Sequence, residues 1–146
     1  MIEVTTSVSI LRSSDDVFAY LADMANNPSW QKGMRSCTWT SEPPVGIGST
    51  YDQTASFLGK TIESSFEVVE FEVGERIRIR TVGGTMPIDV TRTVIDRPAG
   101  TCTVGAIVRG DSSKLFKIAD PVMKRMVERS VRADYARLKQ LLESPA

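Results

Sequence analysis

The sequence predicts an α+β domain in which a seven-stranded, curved antiparallel sheet wraps around one long C-terminal helix. Seven segments alternate apolar and polar residues, as half-buried strands do. Two short helical patterns stand between the first and second of these segments. The C-terminal segment carries an apolar stripe with a period near 3.6 residues, which is typical of an amphipathic helix. Because each strand has one apolar face, the sheet needs a cover, and the long helix can supply it.

Length and composition indicate a single globular domain over residues 1–146. The chain is 41% hydrophobic and 25% charged, which is sufficient for a sizeable core. Its 18 Lys and Arg residues balance 18 Asp and Glu residues, so we expect no general basic surface and no nucleic-acid partner. No apolar run approaches the roughly 20 residues that span a bilayer, and no signal-peptide pattern is present. We therefore expect a cytoplasmic protein without membrane insertion.

The absence of histidine limits the chemistry of this chain. It excludes Ser-His-Asp and Cys-His nucleophile systems and the usual zinc sites. The two cysteines, Cys37 and Cys102, form no metal-ligand spacing and fit a reducing compartment. We expect no metal, no cofactor and two buried, unreactive thiols.

The N-terminal segment predicts one strand followed by two short helices. Residues 2–11 alternate as a strand. Ser13-Ser14-Asp15-Asp16 supplies a cap and early acids for a helix of about three turns. Asn26-Asn27-Pro28 ends that helix, and residues 28–32 predict one more helical turn, which carries Trp30.

Alternating segments predict six further strands, at residues 34–41, 49–57, 61–72, 76–80, 86–96 and 101–109. A loop rich in proline and glycine, residues 43–48, precedes the second of these. Arg97-Pro98-Ala99-Gly100 forms a turn between the last two. Within residues 61–72 the apolar phase jumps by one position, from Val68 to Val69, which predicts a bulge or a strong twist.

A hairpin centred on Val73-Gly74-Glu75 is the most informative local pattern. With a three-residue loop, the apolar and the charged rows of its two strands both match. The facing pairs are Phe71 with Ile77, Val69 with Ile79, Glu72 with Arg76 and Glu70 with Arg78. We interpret these arginines as a salt-bridged outer face of the sheet rather than a binding patch.

The C-terminal segment predicts a long helix with one interruption. Asp111-Ser112-Ser113 is a candidate cap for a first segment, and the apolar stripe runs from Leu115 to Leu141. Asp120-Pro121 interrupts it, because proline removes a helical hydrogen bond and disfavours helix at the preceding residue. Two alternatives stay open: a kink, or a fresh helix that Asp120 caps with Pro121 at its first position.

Five motifs along the chain carry a family resemblance. They are Ser13 to Asp23, Asn27 to Trp30, Pro44 to Tyr51, the hairpin pieces Phe66 to Phe71 and Glu75 to Arg78, and Asp134 to Glu143. With these motifs, in this order over nearly the whole chain, the sequence resembles the SRPBCC, or START-like, superfamily, in particular its polyketide cyclase/dehydrase branch. The resemblance implies a helix-grip fold with a deep pocket for lipids, polyketides, hormones or other apolar molecules. It does not imply one reaction, because fold does not fix function.

The inward faces of the predicted elements supply the candidate pocket. Mostly apolar walls with a few polar groups are typical of small-molecule sites. The ligand-binding candidates are Trp39, Tyr51, Gln53, Ser64, Phe66, Arg92, Val104, Met123 and Met126.

Arg92 and Tyr51 are the candidates for catalysis. Arg92 shares an apolar face with Val90 and Val94, where a cation needs a partner. It either binds a ligand carboxylate, enolate or carbonyl, or serves the structure by reaching the rim of the sheet or pairing with a buried acid such as Asp134. Tyr51 either donates a hydrogen bond to a ligand oxygen or packs as a wall of the cavity.

Three functions stay open at this point. The first is binding or carriage of a small apolar molecule, lipid-, polyketide- or aromatic-like, by a monomer or homodimer. The second is a polyketide cyclase, aromatase or dehydratase in which Arg92 stabilises an enolate and Tyr51 exchanges a proton, although no residue is an obvious base at neutral pH. The third is a protein-interaction module that uses the outer sheet face or the loop at residues 43–48.

Overall fold

The computed structural model describes residues 1–144 and has the predicted α+β architecture. The strands are β1 (Ile2–Ile10), β2 (Met34–Trp39), β3 (Thr50–Phe57), β4 (Lys60–Glu72), β5 (Arg76–Gly84), β6 (Ile88–Arg97) and β7 (Thr101–Gly110). The helices are α1 (Ser14–Ala22), a 3₁₀ helix (Met24–Ser29), called the 3₁₀ helix below, and α2 (Asp120–Glu143). A further 3₁₀ turn, Pro98–Gly100, joins β6 to β7. Within residues 1–144, no helix combines the length and the apolarity that a membrane crossing requires.

The seven strands form one antiparallel sheet in the order β1-β7-β6-β5-β4-β3-β2. The strands β1 and β2 therefore lie at opposite edges, although only two short helices separate them in the chain. The chain crosses between the edges through α1 and the 3₁₀ helix, while α2 packs along β1. This arrangement confirms the curved sheet, the two short helices and the long C-terminal helix.

The boundary between α1 and the 3₁₀ helix lies at Asp23. Ser13 caps α1 by accepting the backbone N–H of Asp16 at 3.3 Å. Asp23 then caps the 3₁₀ helix by accepting the backbone N–H of Ala25 at 3.1 Å. The expected helix end at residues 26–28 and the expected turn at residues 28–32 are therefore wrong, because the Asp23 side chain competes with the backbone and restarts the helix earlier.

The β4–β5 hairpin confirms the predicted bulge and corrects one of its pairs. The observed partners are Glu72 with Arg76, Phe71 with Ile77, Glu70 with Arg78 and Val68 with Ile79. The expected pairing of Val69 with Ile79 is wrong because Val69 is the extra residue of the bulge. The bulge keeps Val68 on the buried face, where it is fully enclosed.

Arg76 and Arg78 of β5 form the expected salt-bridged outer face, while Arg80 is exposed and makes no ion pair among the described residues. Arg78 donates to Glu70 at 2.9 Å and to both carboxylate oxygens of Asp89, at 3.0 and 2.7 Å. Arg76 donates to Glu72 at 2.6 Å. The hydrogen bond from Arg78 lowers the pKa of Glu70 below its usual value.

The helix α2 begins at Asp120, so the alternative of a fresh helix is correct. Ala119 is its cap residue, however, and Pro121 lies within its first turn, where a missing N–H leaves no hydrogen bond unmade. The expected helical segment before it is wrong. Residues 111–119 instead turn at Ser112, whose carbonyl accepts the N–H groups of Leu115 and Phe116.

The apolar core divides into two clusters along α2. The larger cluster packs α1, the 3₁₀ helix and the C-terminal half of α2 against the sheet, with Tyr135 and Leu138 from α2. The smaller cluster packs the first turns of α2, through Met123, against the start of β1 and against Phe116. The stretch of α2 between the two clusters covers the space described below.

A glycine in the β4–β5 ladder provides a test of the fold. Gly84 has a φ of +126°, and a Cβ atom there would lie 2.7 Å from the Cα of Ser64 and closer still to the carbonyl oxygen of Glu63. We expect Gly84→Ala to lower the free energy of unfolding by about 2 kcal/mol or more. Urea denaturation measures this as a lower midpoint.

Gly83 is the matched control, since a Cβ atom there meets nothing within 4 Å. Gly83→Ala should change the free energy of unfolding by less than about 0.5 kcal/mol. Equal effects of the two substitutions would contradict the observed backbone at Gly84.

Candidate functional site

A cavity of about 190 Å³ lies between the sheet and α2. Strands β2 to β7, the 3₁₀ helix with the segment after it, and the middle of α2 supply its walls. We call it the polar cavity after its polar lining residues, which include Asn27, Gln31, Tyr51, Gln53, Arg92, Asp134 and Tyr135. More of the predicted site residues line this cavity than line the second cavity described below.

A second cavity, of about 170 Å³, lies beside the first. We call it the apolar cavity after its walls, which include Ile2, Ile62, Met86, Phe116, Met123 and Val127. The two cavities share the lining residues Phe57, Ile88, Val108, Ser130 and Val131. Each is smaller than the roughly 300–1,000 Å³ of a typical ligand pocket, so a ligand of ordinary size would extend across both.

Arg92 lies on β6 at the wall of the polar cavity and is only 3% exposed. Its Nη1 donates to the carbonyl oxygen of Leu21 at 3.0 Å, to Oδ1 of Asn27 at 3.2 Å and to the sulfur of Met24 at 3.4 Å. Its guanidinium carbon lies 5.0 Å from the ring centroid of Trp30, a cation–π distance. Arg92 therefore neither reaches the rim of the sheet nor pairs with Asp134, the two structural roles that the sequence left open.

Tyr51 lies on β3 and is fully buried. Its ring stacks on Phe66, with centroids 5.1 Å apart, and meets Trp39 edge-on at 5.3 Å. Its hydroxyl has no hydrogen-bond partner among residues 1–144. Burial raises the pKa of Tyr51, and the nearby charge of Arg92 opposes this only in part. At neutral pH the hydroxyl is thus protonated and can donate a hydrogen bond, but it cannot act as a base.

Cys37 lies on β2 near the polar cavity and remains a thiol at neutral pH. Asn27 Nδ2 donates to its sulfur at 3.8 Å, and the sulfur donates to Oε1 of Gln53 at 3.7 Å. Burial raises the pKa of Cys37 to about 11, although Asn27 and the charge of Arg92 lower it. Cys102 is fully buried in the core, and burial also raises its pKa.

Asp134 lines the polar cavity, but its carboxylate already has partners within the protein. It accepts the backbone N–H of Lys32 at 3.2 Å and pairs with Arg137 on the same helix. Arg137 in turn donates to the carbonyl oxygen of Trp30 at 3.1 Å. Burial raises the pKa of Asp134, and its two partners oppose this. The carboxylate thus holds the local backbone and an arginine.

The structure brings together some of the predicted ligand-binding residues and separates others. Tyr51, Gln53, Phe66 and Arg92 line the polar cavity, and Met123 lines the apolar cavity. The remaining four, which line neither cavity, are Trp39, Ser64, Val104 and Met126.

Those four residues occupy different surroundings. Trp39 borders a cleft beside α1, where its indole N–H donates to Asp23 at 2.8 Å. Ser64 and Val104 are buried within the sheet, and Met126 is half-buried on α2. Their role in ligand binding remains a prediction.

Several residues that line the cavities were not predicted from the sequence. Val127, Val131 and Tyr135 continue the spacing of Met123 by four residues, so the helical period could have identified them as a set. Asn27 carried no such signal. In the sequence it is a helix breaker and part of the motif Asn27 to Trp30, and its contact with Arg92 depends on where the 3₁₀ helix lies.

A family model described as "Polyketide cyclase / dehydrase and lipid transport" matches residues 1–143. The chain belongs to this family. The match covers both α-helices, all seven strands and both cavities, and it confirms the resemblance drawn from the motifs. No curated protein matches the sequence significantly.

Solved structures share the fold of this polyketide cyclase/dehydrase family member at low sequence identity. A START superfamily protein from Mycobacterium smegmatis is 12% identical over 97% of each chain, with a TM-score of 0.81. The Zhui aromatase/cyclase from Streptomyces sp. R1128 is 14% identical over 97% of this chain and 93% of its own, with a TM-score of 0.76. Ginseng major latex-like protein 151 from Panax ginseng is 12% identical over 97% of each chain, with a TM-score of 0.73.

The pKa of Cys37 provides a test of the polar cavity. With a pKa of about 11, roughly one thiol in a thousand is ionised at pH 8, and only the thiolate reacts. We expect iodoacetamide to alkylate Cys37 at least about a hundredfold more slowly than it alkylates glutathione at that pH. Peptide mass spectrometry follows the reaction over pH 7–11.

Alkylation after unfolding in urea is the control, and it should bring both cysteines to the rate of a free thiol. A native Cys37 that reacts at pH 8 as fast as glutathione would contradict its burial beside Asn27 and Gln53.

Proposed function

We propose that this protein binds a small apolar molecule in the polar and apolar cavities between its sheet and α2. The observation that carries the proposal is the pair of adjoining cavities with mostly apolar walls. Protein interiors are close-packed and leave few voids larger than a water molecule, whose share of liquid volume is about 30 Å³. Two spaces of about 170 and 190 Å³ side by side are therefore a feature that core packing does not explain.

The chemistry of the walls supports binding rather than turnover. The acidic groups that line the polar cavity are Tyr51 and Tyr135, whose pKa values burial raises, and Asp134, which is held by Lys32 and Arg137. None of the three supplies a free base at neutral pH, which proton abstraction next to a carbonyl would require.

A polyketide cyclase, aromatase or dehydratase is the second candidate. One observation favours it: Arg92 and the Tyr51 hydroxyl line the same cavity, where both can donate hydrogen bonds to a developing enolate oxygen. In this proposal the two residues are electrostatic stabilisers, and the substrate or a water molecule supplies the base. Arg92→Phe and Arg92→Lys test it with a poly-ketone thioester analogue, and unchanged turnover in the Phe variant would exclude it.

Filling the shared wall of the cavities tests the binding proposal. Ser130 on α2 lines both cavities, so the ring of Ser130→Phe would occupy space that a ligand needs. We expect the variant to bind N-phenyl-1-naphthylamine, a neutral apolar fluorophore, at least about tenfold more weakly than the unmodified protein. Fluorescence titration measures the dissociation constant.

Ala133→Phe is the matched control, because it adds the same ring to the exposed face of α2. Its affinity for the fluorophore should stay within about twofold of the unmodified protein. Failure of the unmodified protein to bind any apolar probe, or equal binding by both variants, would reject the two cavities as the binding site.

A further inference from the structure

The charge of Arg92 lacks a carboxylate partner in the part of the chain that the structure describes. None of the ion pairs among residues 1–144 includes it. A guanidinium cannot shed its proton at neutral pH, so burial cannot neutralise it as it would a lysine. Its neighbours contact it through neutral groups: the carbonyl of Leu21, the amide of Asn27, the ring of Trp30 and the side chain of Tyr135. A buried cation among neutral groups is the condition that an anion relieves most strongly.

Three residues that line the polar cavity have a buried polar atom without a hydrogen-bond partner among the described residues. One is an acceptor, Oε1 of Gln31, and the other two are Nε of Arg92 and the hydroxyl of Tyr51. The charge of Arg92 acts on the pKa of Tyr51. Nη1 of Arg92 is already engaged on the side of α1 and the 3₁₀ helix, which leaves the Nε edge for another partner. Nε of Arg92 is a donor and the Tyr51 hydroxyl can donate, so a group that pairs with both must be an acceptor.

Resting on the proposed function, we propose that the ligand is an amphipathic monocarboxylate whose carboxylate binds Arg92 and Tyr51 while its apolar chain occupies the apolar cavity. A carboxylate has two oxygens, enough to accept from both donors at once. Charge-assisted hydrogen bonds from arginine to a carboxylate are also roughly twice as strong as neutral ones. A neutral carbonyl would accept the same bonds but would leave the cation uncompensated.

The surroundings also determine the orientation of the ligand. Asp134 is the acid that lines the polar cavity, and its charge is directed to Arg137 and the N–H of Lys32. The apolar cavity offers a chain the side chains of Ile62, Met86 and Met123. The shared wall, which includes Ser130, joins the two compartments, so a chain can run from one to the other.

A matched pair of ligands tests the charge on the unmodified protein. Dodecanoate and dodecan-1-ol share a chain, and the ionised acid is the less apolar of the two. Apolar burial alone would therefore favour the alcohol. We expect dodecanoate to displace N-phenyl-1-naphthylamine at pH 8 with a dissociation constant at least about tenfold lower than that of dodecan-1-ol.

Variants of Arg92 assign that preference to one residue. Arg92→Met should abolish the preference for dodecanoate, while Arg92→Lys should retain part of it, because the charge remains. Circular dichroism shows whether Arg92→Met folds. If it does not, the two ligands measured on the unmodified protein and on Arg92→Lys still test whether the charge of residue 92 causes the preference for dodecanoate.

A substitution in the apolar cavity tests the orientation. Val127 lines that cavity and not the polar one. Val127→Phe should weaken dodecanoate at least about tenfold but hexanoate less than about twofold, because a short chain ends before the added ring. Equal losses for the two acids would overturn the proposed orientation.

The outcomes separate this inference from the function on which it rests. If the fluorophore does not bind the unmodified protein at all, the proposed binding function fails. If it binds and the alcohol displaces it as well as the acid does, apolar binding stands and the monocarboxylate is overturned.

Discussion

The contacts of the Arg92 guanidinium join the three parts of the fold. Arg92 is carried by β6, and its Nη1 binds the carbonyl of Leu21 at the end of α1 and the side chain of Asn27 in the 3₁₀ helix. Its guanidinium lies over Trp30, whose ring packs edge-on against Tyr135 of α2 at 4.9 Å. Arg92 thus contacts the short helices directly and α2 through Trp30. Its charge cannot be neutralised by the loss of a proton. The same charge borders the polar cavity, so the structural contact and the candidate site share one residue.

The cavities exist because one helix covers a curled sheet. The first turns of α2 are packed through Met123 and its last turns through Leu138 and Leu142, each within its own apolar cluster. Between them, α2 presents Ser130 and Val131, which are too small to fill the space to the sheet. The apolar cavity extends from these residues to Met123, and the polar residues of β3 and β6 border the polar cavity.

Alternation along the strands identified part of the site and could not identify the rest. It placed Tyr51, Gln53, Phe66 and Arg92 on inward faces, and they line the polar cavity. It placed Ser64 and Val104 inward as well, where neighbouring side chains cover them. A period of two residues reports which face of a strand is buried but not whether that face meets a cavity or a packed core. Asn27 lies outside any periodic segment, so its contact with Arg92 could not be predicted from a pattern.

The sequence by itself determined the number and order of the strands, the buried face of each, the charged pairs of the β4–β5 hairpin and the family. These properties follow from local periodicity and from residues that face each other across a short loop. Only the tertiary structure decided that Val69 is the bulged residue, that α2 starts after Ala119 and that Arg92 is buried with no carboxylate partner among residues 1–144. The burial of Arg92 depends on the contacts that the short helices make with β6. Such contacts join segments remote in the chain, which no local pattern encodes.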